Sequence, residues 1–470
     1  MDKSIIINRD VKFSFSGHAS LSAIGVMIRK HKVFAPIVQK VKIAQKVVKF
    51  SPAEKLLDGY IAILAGAHGM VEINKGLRAD PGLQLAFGRT GCAEQSVVQD
   101  TLDACRAENV KQMHQAMNTI FRQNSLSYRH DYNQEWQVLD SDTTGRPCGK
   151  KAAFASKGYF AKQRNRRGRQ EGYVLATWYE EIVVERLFDG KTQLNRALQP
   201  LVEAAEEALQ LEECKRRRTI LRVDSGGGSV EDINWVLARG YQIHCKDYSG
   251  TRAEHLAESV EQWIPDPGEP GRQFGWVTAN AEVYCRPVRR IAVRCRKNNG
   301  QWGVGVILST LSPTESASTF GRDMLWLTGQ SIQDEENSQA VLLAYVHFYD
   351  QRGGGVETEI KEDKQGLATP KRNKKRFEAQ QMLTQLEALA HNTLIWARRW
   401  LEPHCPKIAH FGLKRMVRDV FQMNGLIVFD HYAQILQIIL NQADPLANEL
   451  CDGLVSLLAR EHVAISLGEI

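Results

Sequence analysis

The chain has 470 residues, 43% hydrophobic and 24% charged, which is ordinary globular usage and suggests about two to four structural units. Its net charge of +7 is too modest to imply a polyanionic partner by itself, so the clustering of basic residues matters more than their total. Nine cysteines, none in a CxxC pair, argue against a zinc site or disulfide framework, and no apolar run approaches the ~18 residues of a membrane span, so a cytoplasmic protein is expected.

Residues 1–130 read mostly as helices. Pro52 opens a segment with Leu56, Leu57, Tyr60, Ile61 and Leu64 at helical spacing. Further segments cover 94–107 and 110–122. Short helices joined by tight turns fit either a helix-turn-helix that reads DNA or a plain helical packing domain.

The texture changes near residue 134. Residues 136–139 form a strand candidate running into Asp140-Ser141-Asp142-Thr143-Thr144-Gly145, followed by strands at 173–177 and 182–188. A strong helix is expected over 194–213. Thr219 to Val223 is a short apolar strand ending in Asp224 and three glycines. Ser229 caps a helix to Arg239, and 241–245 is another strand. This order predicts an α/β domain with a mixed sheet. Residues 265–311 read as all β, with strands at 282–284, 290–293 and 304–308. Helices return at 338–349, from Glu357 past Lys364 and over 378–400, and the tail from about 410 reads as helical. The glycines at 353–355 predict a loop.

Asp142 and Asp224 each follow a predicted strand, the end at which side chains converge on a ligand crevice. Glu357 opens a helix far along the chain. Taken singly, each Asp motif is also an ordinary polar turn. Three carboxylates held close repel and take up protons unless a cation joins them. A pair of divalent ions removes the conflict and clamps both oxygens of an in-line phosphoryl displacement. Oxygen-only donors favour Mg2+ or Mn2+. Offsets of four and seven place Lys361 and Lys364 on the helical face of Glu357. The modest net charge is patterned, with basic runs at 150–169, 215–218, 286–297 and 371–376. Each is a solvated surface taken alone, and four around an acidic framework favour a DNA track with steep salt dependence.

Tyr349, Arg352, Glu357 and Lys364 resemble the Tyr-Arg-Glu-Lys signature of bacterial insertion-sequence transposases of the DDE class. Asp142-Thr143-Thr144 resembles the first acid of those enzymes, and Val223-Asp224-Ser225-Gly226 the second. The β-rich stretch between Asp224 and Glu357 is similar to their β-strand insertion, and His391-Asn392 also fits. The resemblance implies an α/β fold: a ribonuclease-H-like catalytic domain interrupted by a β-rich insertion, flanked by helical N- and C-terminal regions. The expected divisions are 1–130 for DNA-end recognition, 131–262 for the first part of the core, 263–325 for the insertion, 326–400 for the second part, and 401–470 as a helical C-terminal region. It implies Asp142, Asp224 and Glu357 as catalytic metal ligands holding two Mg2+ or Mn2+ ions. Tyr349, Arg352, Lys361 and Lys364 then contact DNA phosphates, with Trp276, Trp302 or Trp326 as a stacking partner for a flipped base. Asp140 is the reserve first acid, since it shares a strand face with Asp142, and Glu359 is the reserve for Glu357. Implied partners are double-stranded DNA with terminal inverted repeats, target DNA and a second copy of the chain on DNA, near a prokaryotic nucleoid. The alternatives are a metal-dependent nuclease or resolvase of the same fold and a catalytically silent DNA-binding derivative.

Overall fold

The computed structural model describes residues 11–47, 49–160, 163, 165–279, 283–312 and 339–470. Lys162, Arg164, Glu282, Trp326 and Ser338, on which sequence expectations fall, lie outside these residues. The chain divides into two compact units. One comprises Met1–Ser125, Pro147–Ala155 and Ile360–Ile470, the other Leu126–Arg146 and Ser156–Glu359.

The first unit is built on long helices with a four-stranded sheet. Helix Pro52–Leu64 begins at the expected proline. The Ser51 hydroxyl accepts from the Glu54 amide and the Glu54 carboxylate from the Ser51 amide, a capping box that satisfies two end donors. Helix Phe377–Leu401 is buried along most of its length and carries Leu386, Leu389 and Leu394 into one core with Leu56, Tyr60 and Ile61. Each such buried side chain contributes roughly 1.5–3 kcal/mol. Polar groups on this helix are buried with partners: Thr393 with Tyr60 at 2.7 Å, Glu387 with Arg372 at 2.9 Å and His391 with Asp363 at 2.8 Å.

The sheet of this unit corrects two expectations. Strand Lys12–Ser16, in a region read as helical, pairs with Gly425–Phe429; Ile435–Asn441 and Ala464–Gly468 complete the sheet. The tail is therefore mixed, with helix Ala447–Leu458 among its strands. The cause is local ambiguity, because a short apolar run such as Ile435 to Leu440 fits a strand or a buried helix equally.

The second unit is organised by a sheet of ten strands among the described residues. Arg167–Ala176 lies between Glu181–Asp189 and Gln137–Pro147, and Thr219–Val223 and Gln242–Lys246 follow in parallel. Trp302–Ser309, Arg289–Arg296, Arg272–Trp276 and Ile264–Pro265 then continue antiparallel. The stretch expected as an insertion thus extends the same sheet, with Ser309 paired to His244 and Leu308 to Cys245. Helix Leu194–Leu209 buries Leu194, Leu198, Leu201 and Val202 at its expected period, but ends where Gln210 adopts a left-handed φ of 52°, earlier than predicted. Helix Gln339–Gly354 places Val341, Tyr345 and Phe348 in a core with Val138, Ile220, Phe274, Ile291 and Ile307.

Candidate active site

The parallel register aligns Asp140 with Arg222 and Ser141 with Val223, where that ladder ends. Asp142 and Asp224 are the next same-face positions, so they stand beside each other just beyond the last parallel pair. The first strand does not stop there. It runs on to Pro147, so Asp142 lies within a strand, whereas Asp224 follows the end of its own. The Asp224 carboxylate accepts from the Gly226 amide at 2.8 Å and caps the short turn Ser225–Gly227. Gly228 is required by close approach, because a Cβ there would meet the Lys246 carbonyl oxygen at 2.0 Å.

Asp140 is fully buried and fully engaged. Its two oxygens accept from Arg222 at 2.6 and 2.7 Å, and one also accepts from the Thr177 hydroxyl at 2.7 Å. The Arg222 guanidinium additionally donates to the Phe348 carbonyl at 2.6 Å and lies 4.6 Å from that ring. Arg222 and Thr177 escaped the reading of the sequence. The available signal was a charge inside the apolar strand Thr219–Val223, which burial permits only with a partner.

Asp142 keeps 16% of its side-chain surface exposed and faces Arg352 at 2.9 Å. Burial pushes its carboxyl up to about 6; Arg352 opposes the shift, while Asp224 and Glu357 reinforce it. Glu357, at the start of helix Val356–Gly366, is 58% exposed and takes the other arm of Arg352 at 3.1 Å. One guanidinium, itself 3% exposed, therefore spans the first and third acids, and a further bond of 3.3 Å to the Ser141 carbonyl fixes it. Its Nε has no hydrogen-bond partner among the described residues. The neighbouring carboxylates, Asp142 first, outweigh burial and raise its pKa.

The glycines before Glu357 do not form the expected loop. Gly353 and Gly354 complete helix Gln339–Gly354, Gly355 makes a single turn, and the next helix begins at Val356. The Gly355 amide donates to the Gln351 and Arg352 carbonyls, keeping the backbone nearly continuous. A Cβ on Gly355 would lie 2.8 Å from Thr177 Cγ2 and 3.1 Å from Asp140 Oδ2. The absent side chain lets this turn press against the Asp140 cluster and sets Arg352 and Glu357 at Asp142.

Tyr349 is half-buried beside the Tyr345–Phe348 core, and burial raises its pKa, with Asp224 and Glu357 adding to the effect. Lys361 is exposed and Lys364 half-buried on the helix of Glu357. Glu359, the reserve third acid, lies two residues beyond Glu357, on another face of that helix. Trp276 packs edge-on to Tyr345 at 5.6 Å, a core contact. Trp302 lies under Arg294 and Arg296, whose guanidinium carbons are 4.6 and 5.6 Å from its ring.

Asp142, Asp224 and Glu357 offer only oxygen donors, a set suited to a hard divalent cation. The repulsion that Asp224 and Glu357 add to the burial of Asp142 also fits a cation bound at this carboxylate. Among the described residues no three acidic, His or Cys side chains converge closely enough to ligate one ion, and the Arg352 guanidinium stands between two of the acids.

The residues with which this arrangement is built lie inside a family match. The model for the transposase DDE domain, group 1, matches residues 3–458, so the chain belongs to that family of DNA-transposing enzymes, which generally use divalent metal ions. No curated protein matches the sequence. A cryo-EM structure of the piggyBac transposase synaptic complex with hairpin DNA shows a distant likeness, with 11% identity over 86% of this chain and 79% of that one and a TM-score of 0.44. No helix among the described residues is long and apolar enough to cross a membrane.

Proposed function

We propose that the chain is a transposase that cleaves DNA at the ends of an insertion sequence and joins them to target DNA, with Asp142, Asp224 and Glu357 as its catalytic acids. The observation carrying this assignment is the parallel register that ends at Ser141 and Val223, immediately before Asp142 and Asp224, with Arg352 tying Glu357 to Asp142. The full engagement of Asp140 by Arg222 and Thr177 favours Asp142 as first acid. The run of three neighbouring strands continued by two parallel ones supports the ribonuclease-H-like reading.

With Arg352 displaced, Asp142 and Asp224 from the sheet and Glu357 from its helix would hold two Mg2+ or Mn2+ ions, which would supply Lewis-acid activation of the nucleophile and charge stabilisation of the phosphoryl displacement. Arg352 holds the acids together by neutralising them, and is a phosphate ligand once it is released from Glu357. Lys361 and Lys364 keep the DNA strand on the face of Glu357, and Tyr349 braces it from the sheet side. Trp302 is the stacking surface for an unpaired base. Terminal inverted repeats are the recognised DNA, and two copies of the chain hold two ends.

The test is cleavage and joining of DNA carrying the element's ends with Mg2+, comparing wild type with Asp142→Ala, Asp224→Ala and Glu357→Ala. Loss of both reactions in folded, DNA-binding variants supports the assignment. Activity surviving in Asp142→Ala overturns the choice of first acid, and cleavage without joining selects a nuclease.

A further inference from the structure

Two basic runs separated by about 70 residues of sequence meet in the second unit. Arg216 and Arg217, from the short helix Glu213–Arg216 and the residue after it, Arg239, and Arg286 line one cavity of about 580 Å3. Their partners differ in kind. Arg239 is held by Glu206, and Arg217 by Glu213, with both members of the latter pair more than 60% exposed. Among the described residues, Arg216 donates to the Arg239 and Leu211 carbonyls, both at 2.7 Å. Arg286 donates to the Tyr241 carbonyl at 2.9 Å, more weakly to the Leu237 carbonyl at 3.5 Å, and to the Gln242 side-chain oxygen at 3.1 Å. Four guanidinium groups are thus balanced by two carboxylates among the described residues. The surplus belongs to Arg216 and Arg286, which neutral oxygens orient without cancelling their charge.

Capping the end of helix Val230–Ala238 accounts for some of these bonds, since basic groups favour a helix C-terminus. It does not account for four arginines. A guanidinium has five N–H donors, and the carbonyl bonds consume only some of them. The cavity wall offers Leu237 and Ala238 as apolar groups, and no aromatic ring lines it among the described residues. Its chemistry recognises phosphate by charge and by the fork of the guanidinium, without reading sequence. It is also remote from the acids. Arg217 precedes strand Thr219–Val223 and Asp224 follows it, a separation of roughly 20 Å along an extended chain.

We infer that this cavity binds backbone phosphates of duplex DNA away from the reacting strand, as a sequence-independent clamp. The inference depends on the transposase reading only in taking DNA as the polyanion. The experiment is the affinity of full-length protein for a 40-base-pair duplex of arbitrary sequence, by fluorescence anisotropy over a range of salt, for wild type, Arg217→Glu and Arg216→Gln/Arg286→Gln. Removing one cation that neutralises a phosphate flattens the slope of log affinity against log salt by about 0.9. The double variant is expected to reduce the slope by about two units. Arg217→Glu, whose exposed position makes it safe for folding, is expected to reduce it by at least about one. Wild-type slope and affinity in both variants overturn the clamp. Saturable stabilisation of wild type by micromolar inorganic pyrophosphate, with the DNA slopes unchanged, also overturns it in favour of a free polyphosphate. A wild type that does not bind DNA removes the transposase reading as well.

Discussion

Burying Asp140 and Arg222 strips both ions of water, a cost offset by their two mutual bonds, the Thr177 hydroxyl, and the carbonyl and ring of Phe348. Removing one partner leaves the other charged and unpaired in the interior. Asp140→Asn is therefore expected to destabilise the protein by about 3–5 kcal/mol, whereas Asp140→Leu combined with Arg222→Met recovers much of the loss. Chemical denaturation measures both, and additive losses would contradict the pairing. Asp142, two residues on, is exposed enough to meet a ligand and shows the opposite behaviour. Its folded pKa of about 6 lies above the ordinary 3.8, so the fold disfavours its ionised form. The penalty is absent below the ordinary value, grows as pH rises from about 4 to about 6, and is complete above. In buffer free of divalent cations, Asp142→Asn is expected to match wild type near pH 4 and to exceed it by up to about 3 kcal/mol above pH 6. Melting at several pH values tests this, and a gap that shrinks with rising pH would refute it.

At the scale of elements, the junction between helices Gln339–Gly354 and Val356–Gly366 sets Arg352 and Glu357 against Asp142. Its glycines are not equivalent. A Cβ at Gly355 collides with Thr177 and approaches Asp140, whereas a Cβ at Gly353 meets nothing within 4 Å. Gly355→Ala is expected to displace Arg352 and Glu357 and to lower cleavage at least about tenfold, since small misplacements at a phosphoryl-transfer site are costly. Gly353→Ala is expected to leave cleavage unchanged and to stabilise the helix by up to about 1 kcal/mol. Equal cleavage rates in the two variants would show that the junction does not set the acid geometry.

For the whole molecule, the arrangement of the first unit matters most. Its core joins Leu21, Ile24 and Leu56 from the beginning of the chain to Leu386, Leu394 and Ile438 from its last quarter, and strand Lys12–Ser16 has Gly425–Phe429 as its partner. A fragment of residues 1–125 is thus expected to lack a cooperative thermal transition, because the core it shares with the last quarter of the chain is left uncovered. Calorimetry of that fragment decides the matter, and a sharp transition would show that the N-terminal segment folds unaided.

Local chemistry accounts for much of what was legible in the sequence. Pro52 with a capping box, the apolar stripe of Leu194–Leu209 and the Asp after Val223 are set by neighbours within a few residues. The family resemblance was legible for the same reason, since its motifs are short and ordered along the chain. The sequence by itself determined these elements, their order and the acids available for chemistry. Only the tertiary structure decided which acid is sealed and which keeps an exposed edge, because Asp140 and Asp142 share a strand face and differ only in what the neighbouring strand and helix bring to them. It also decided that the final segments are strands, since a short apolar run takes its state from its partners. The junction of arginines from two distant runs at one cavity was likewise invisible, as charge spacing along a chain carries no information on which runs the fold places side by side.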